Sequence, residues 1–338
     1  MNRHVTRLTG RSLSWWLVIG MMLLVAACSV LLALDMGSMD IGVVQVFHAL
    51  FRDGHTLAGR VVHELRLPRV LGGFVVGGML ALAGALMQVL LRNPLAEPYV
   101  LGVSGGASVF ALLAMLAGLA GIWVNLAAFT GAFLSMLLVF VLSRLGGVWD
   151  PLRILLTGIV VAAGWGAMIS LLLVISPAGQ LHGMLYWLMG DLGNTRYTSW
   201  QGVILVVALA ACMPAARGMN LLVRGELQAA ALGVSVLPLQ YFIYFTASLL
   251  TAMAVMQAGS IGFIGLIIPH ITRLLLGGDH RLLLPVSVLL GGSLLVIADG
   301  LARTLIAPQQ LPVGVLTAML GVPVFLLLLQ TIAREQKP

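Results

Sequence analysis

Asp299 and Arg303 stand four residues apart, Asp191 lies on its own after a long apolar run, and Arg52, Arg60, Arg66 and Arg69 crowd into one short stretch. An Asp and an Arg at i and i+4 on a helix form an ion pair. Clustered guanidiniums make charge-assisted hydrogen bonds to carboxylates or phosphates. Other chemistry is missing. A phosphate-binding loop of the G-x4-G-K-[ST] type needs a lysine, and the only lysine is Lys337, followed by Pro338. Ser170 and His270 are the nearest approach to a nucleophile and a base, and neither has a partner identifiable in the sequence. No apolar run carries an ionisable residue at its middle, where an ion-coupled carrier usually keeps one. No catalytic residue, metal site or cofactor is therefore assigned.

The elements that must position these residues are membrane helices. Hydrophobic residues make up 60% of the 338 and charged residues 9%, against about 25% charged in soluble domains, and the mean hydropathy is +1.08. Apolar runs recur at 15–34, 69–91, 99–118, 122–143, 152–175, 201–216, 238–257, 262–276, 282–302 and 312–333. Ten such runs predict an all-α polytopic protein, a single membrane domain over 1–338. The net charge of +7 reads as the topological signal of cytoplasmic loops rather than as a nucleic-acid surface. With a cytoplasmic N-terminus, twelve of the eighteen basic residues fall inside, among them Arg3, Arg7, Arg11, Arg92, Arg273 and Lys337, and six fall outside, Arg196 included, while Glu97 falls in the inside loop that follows Arg92. Both termini are then cytoplasmic. The outside excess at Arg52 to Arg69 needs a separate reason.

Val25-Ala26-Ala27-Cys28 resembles a lipoprotein cleavage box, but the apolar run continues to Leu34, which predicts an uncleaved first span. Cys28 and Cys212 both sit in apolar runs and suit buried thiols better than a disulfide. The run 262–276 is short and contains Pro269, and Val43 to Phe51 is too short to cross. Each reads equally well as a half-helix that enters and turns back or as an ordinary irregularity. Gly73, Gly77, Ala81 and Ala85 place small residues on one face of the second span, a device for close helix packing. The inside loop 217–240 has a helical pattern through Leu222, Leu227, Ala230 and Ala231 and ends its helix at Gly233. From its residues alone it lies at the membrane interface or docks on a partner protein, the former being favoured.

Several segments together resemble the FecCD family, the permease subunits of ATP-binding-cassette (ABC) importers for iron chelates, haem and vitamin B12. They are LRLPR at 65–69, the small-residue span with Gly84 and Gln88, RNPLAEPYVLGVSGGAS at 92–108, YWLMGDL at 186–192, GELQAAALGVSV at 225–236, GSIGFIGLIIPHITRLLLGGDHR at 259–281, ADGLART at 298–304 and LPVGVLTAMLGVPVF at 311–325. The resemblance runs through nearly the whole chain in order.

It implies a type II importer permease, working as a homodimer in the bacterial inner membrane with two separate ATPase subunits and a periplasmic substrate-binding protein. By this resemblance Arg66, Arg69 and Arg303 dock the binding protein, and Arg52 and Arg60 are left to lipid headgroups. Asn93, Pro94 and Leu95 are implied as the cytoplasmic gate, although the same residues also suit an ordinary inter-span turn. Glu226, Ala230, Ala231 and Gly233 belong to the implied coupling helix. The fifth span lines the implied pathway with an apolar surface. His182 stands where several members have arginine, and Gln310 where the usual residue is glutamate. The alternative class is an ion-coupled secondary transporter, against which stand the missing midspan carboxylate and the coupling-like loop.

Overall fold

The computed structural model describes residues 15–37, 42–51, 56–145, 150–193 and 199–335. Arg3, Arg7, Arg11, Arg52, Arg196 and Lys337 lie outside the described residues. The regular structure of the described residues is all helical: α1 (Trp15–Asp35), α2 (Val43–Phe51), α3 (Leu57–Arg60), a π-helical turn (Val61–Arg66), α4 (Leu67–Leu90), a 3-10 turn (Pro98–Leu101), α5 (Val103–Leu116), α6 (Ile122–Arg144), α7 (Pro151–Ile175), α8 (Ala178–Met189), α9 (Ser199–Leu222), α10 (Glu226–Ala231), α11 (Val236–Ala258), α12 (Ile264–Leu276), α13 (His280–Thr304) and α14 (Val313–Glu335). All ten predicted runs are helices. Seven are long and apolar enough to cross a membrane, while α5, α12 and the described part of α14 are shorter.

The bundle is built around α4, which is buried almost without interruption from Val75 to Leu90 and packs on α13, α11, α12 and α1. Small residues make this possible. A Cβ on Gly77 would overlap the Gly291 carbonyl of α13, and one on Gly84 would overlap the Gly265 carbonyl of α12, so the backbones touch where a side chain would hold them apart. The predicted glycine face of the second span is thus a packing face. At its other end α4 continues α3 through the π-helical turn, where Leu67 N–H bonds to Val62 O. Pro68 has no N–H to give and its ring crowds the preceding turn, so the helix widens just before it.

Two helices only half cross. α4 ends at Leu90, yet Pro98 lies back beside Gly265, which itself packs on Leu80. The chain has therefore returned by about ten residues of helix rise, roughly 15 Å, before α5 begins. From the opposite side α11 ends at Ala258, and α12 starts at Ile264 at the same depth. The two reentrant segments meet: Glu97 accepts the Phe263 N–H at 2.8 Å, Tyr99 Oη accepts the Ile261 N–H at 3.0 Å, and Ser104 and Ser260 hydroxyls bond at 2.8 Å. The run 262–276 is thus a half-helix, whereas α2 packs on α1, α3 and the π-helical turn at one end of the bundle. Glu97, expected in an inside loop, is drawn in to this midpoint.

Candidate functional site

The bundle presents two polar ends joined by this reentrant middle. At the first, the arginine end, α1 and α13 finish and α4 starts. Arg69 forks onto Asp299, with Nε 3.1 and 3.0 Å from the two carboxylate oxygens and Nη2 at 2.8 Å from Oδ1. Its Nη1 donates to Gln310 Oε1 at 2.9 Å, and Asp191 stands 3.8 Å away. The expected Asp299–Arg303 pair forms at 3.1 Å, so one carboxylate holds two guanidiniums. Arg303 also donates to Ala33 O and Met36 O, at 3.0 and 2.9 Å. Arg66 donates to Leu34 O and Asp35 O, at 2.7 and 3.0 Å. The last carbonyls of a helix lack intrahelical partners, and these two arginines supply them for α1. Their side chains point inward, 5% and 7% exposed for Arg66 and Arg303. Arg60 is exposed on α3.

The opposite end is looser. After α4 the chain turns at Arg92, whose φ of 47° is left-handed although it is not a glycine. Asn93 N–H bonds to Gln88 O at 3.2 Å and Asn93 Oδ1 accepts the Leu95 N–H at 2.9 Å. Pro94 is exposed and Leu95 half-buried, so the three implied gate residues form one side-chain-stapled turn. Arg92 Nη2 lies 3.1 Å from Glu226 Oε1, the first residue of α10, and Gln240 Nε2 donates to that same oxygen at 3.1 Å. Gln88 reaches α12 twice, donating to Leu266 O at 3.2 Å and accepting from Arg273 at 2.9 Å.

α10 has six residues and buries only Ala229. Leu227 is 88% and Leu232 67% exposed, and Ala230, Ala231 and Gly233 are exposed as well. Leu222, grouped with these by spacing, is instead buried at the end of α9. Gly233 has φ +84° with nothing within 4 Å of a would-be Cβ, so backbone conformation rather than space calls for glycine there.

His182 stacks at 4.7 Å on Tyr186 of α8, and the Tyr186 hydroxyl reaches the Gln310 carbonyl. Gln310 therefore belongs to the arginine end, with its side chain on Arg69. Among the described residues no group of three His, Cys, Asp or Glu side chains converges as a metal site. Cys28 and Cys212 are free thiols, and only Cys212 is buried. α7 leaves Leu156, Ile159, Val160 and Val174 exposed; its one charge, Arg153, is in its first turn. The residues to which sequence reasoning gave no role are Glu97, Arg92 and Gln240, while Gln88 was singled out only as part of the small-residue span. Glu97 and Arg92 at least lay inside the motif at 92–108.

The described residues thus form a polytopic bundle with half-crossing helices and an exposed interhelical knob. The comparisons make this specific. The chain is 42% identical over 80% of its length to the cobalamin import system permease BtuC of Halobacterium salinarum, covering 73% of that protein. It is 37% identical over 95% of its length to the hemin transport system permease HmuU of Yersinia pestis, covering 97% of it. A solved metal-chelate type ABC transporter in an inward-facing conformation superposes with a TM-score of 0.81 at 30% identity, over 94% of this chain and 99% of that one. The FecCD transport family model matches residues 21–331, and the chain belongs to that family. It is a multi-pass permease subunit of an ABC importer, rather than an ion-coupled carrier. ATP hydrolysis and cargo delivery belong to ATPase and binding-protein partners.

Proposed function

We propose that the protein is the permease of a bacterial inner-membrane importer for an iron(III) chelate, haem or corrinoid, assembled as a homodimer with two ATPase subunits at the α10 end and a periplasmic binding protein at the arginine end. The cargo class follows the names of its relatives, hemin and cobalamin. The orientation, with both termini cytoplasmic, rests on the excess of basic residues in the loops of the α10 end. The second copy packs along the exposed apolar stripe of α7, and the uncharged surface suits a bulky cargo that must pass without being gripped.

The observation that carries this reading is α10: a short helix between two spans that exposes Leu227, Leu232 and two alanines while its first residue is tied to the turn after α4. An apolar knob on a polar end fits a cleft in a partner. Glu226, Ala230, Ala231 and Gly233 form this ATPase contact, and Asn93, Pro94 and Leu95 close the pathway beside it. On the other face Arg69 is the direct contact for an acidic residue of the binding protein, while Arg66 and Arg303 hold the outer turns of α1, α4 and α13 that shape the docking surface.

The test is reconstitution with the ATPase and the binding protein. Gly233→Val should leave insertion intact, lower ATPase co-purification and uncouple hydrolysis from uptake. Arg69→Gln should weaken binding-protein docking at least tenfold at low salt, with a smaller loss at high salt; Arg303 still partners Asp299, so the bundle survives. Unchanged uptake in the first variant and unchanged docking in the second would remove these assignments.

A further inference from the structure

One carboxylate oxygen, Glu226 Oε1, joins three elements: the start of α10, the turn after α4 through Arg92, and the first turns of α11 through Gln240. The next residue after Arg92 is Asn93, the head of the stapled turn. That turn is pinned through its backbone to Gln88 O, and the Gln88 side chain holds Leu266 O and Arg273 of the half-helix α12. A continuous set of polar contacts therefore runs from the exposed α10 to the turn and on to the reentrant middle. Only one step in it is a half-exposed ion pair, with side-chain exposures of 37% for Arg92 and 33% for Glu226. The other contacts are hydrogen bonds involving the Gln88, Gln240 and Arg273 side chains or the turn backbone.

Arg92 is marked in a second way. Its backbone is left-handed, a conformation rare for a residue with a Cβ. Glycine would adopt it at no cost. The position nonetheless carries the one side chain long and charged enough to reach α10.

We infer that Arg92 is the positioning residue that transmits displacement of α10 to the Asn93–Leu95 turn, with Glu226 as its exchangeable partner. This inference rests on α10 being the ATPase-docking element. α10 buries a single alanine, so it follows whatever holds it. An exposed pair is weak enough to break and re-form within a transport cycle. When α10 shifts, the guanidinium either draws the turn with it or releases it.

The experiment uses the reconstituted complex of permease, ATPase and binding protein in proteoliposomes, and reads ATP hydrolysed per cargo molecule taken up. Failure of the unmodified permease to co-purify with the ATPase would overturn the docking reading itself, separately from the role of Arg92. With that complex in hand, Arg92→Glu should raise the ratio by up to about fivefold, the factor that corresponds to the upper worth of an exposed ion pair, with ATPase co-purification unchanged. Arg92→Lys should hold the ratio near its starting value. Arg92→Gly, which suits the left-handed backbone and removes only the side chain, should uncouple as Arg92→Glu does, and it decides the question alone if a charge reversal fails to assemble. An unaltered ratio in Arg92→Gly overturns the inference.

Discussion

The arginine end and the α10 end are built from the same residue types and solve opposite problems. At the arginine end, three guanidiniums, one central carboxylate, three carbonyls of α1 and that of Met36 just after it are brought together with each charge engaged. At the α10 end, the ion pairs are about one-third exposed, and His270, Arg273 and His280 each keep a buried nitrogen without a hydrogen-bond partner among the described residues, as Gln180, Ser248 and Ser287 keep a buried oxygen elsewhere in the bundle. Buried polar atoms are ordinarily satisfied, so the contrast is informative. One end is fixed by its electrostatics, and the other is left able to rearrange. A transporter that receives cargo on one face and mechanical work on the other needs that inequality.

The sharpest way to break the contrast is Asp299→Ala. It strips Arg69 and Arg303 of their shared partner inside the bundle, and losing one side of a buried pair costs about 3–5 kcal/mol; thermal unfolding of the purified protein in detergent should fall accordingly. Gly84→Ala comes next. Its Cβ would meet the Gly265 backbone rather than a yielding side chain, so α4 and α12 must part, at about 1–3 kcal/mol. The same melting measurement reads it. At the α10 end Glu226→Ala should cost less than about 1 kcal/mol of stability, although uptake should suffer. A large melting shift there, or a small one in Asp299→Ala, would erase the difference between the ends.

The smallest effect concerns pH. Hydrogen bonding and charge attraction from Arg281 hold the Asp279 carboxyl down at about 2, with Asn220 contributing and partial burial opposing, against an ordinary value of about 3.9. Its contribution is fully present above the ordinary value and is lost as the pH falls from about 4 towards 2. Melting curves between pH 6 and 2.5 should show this slope in the parent and a flatter one in Asp279→Asn. The shift should be slight because the pair is one-third exposed.

Much of this fold was legible in the sequence, because hydropathy and small-residue spacing are local signals. The ten apolar runs, the packing face from Gly73 to Ala85 and the short, proline-bearing run at 262–276 each follow from neighbours within a few turns. The Asp299–Arg303 pair was readable for the same reason. What spacing could not show is that Asp299 has a second partner 230 residues away in Arg69, or that Arg66 and Arg303 turn inward to the end of α1. An arginine count in a loop says nothing about the direction of the side chain. α8 escaped as well, since its mixed sequence, AGQLHGMLYWLM, has no long apolar run. Glu97 was placed with the inside loop because reentry is invisible to hydropathy.

That reentry has an electrical consequence. α5 and α12 both begin near the midplane, so the positive ends of two helix macrodipoles are set close together at the depth where solvation is poorest. Glu97, seated on the Phe263 amide just ahead of α12, turns an acceptor oxygen towards that field. That side-chain oxygen thereby satisfies an amide left open where a helix begins at this depth.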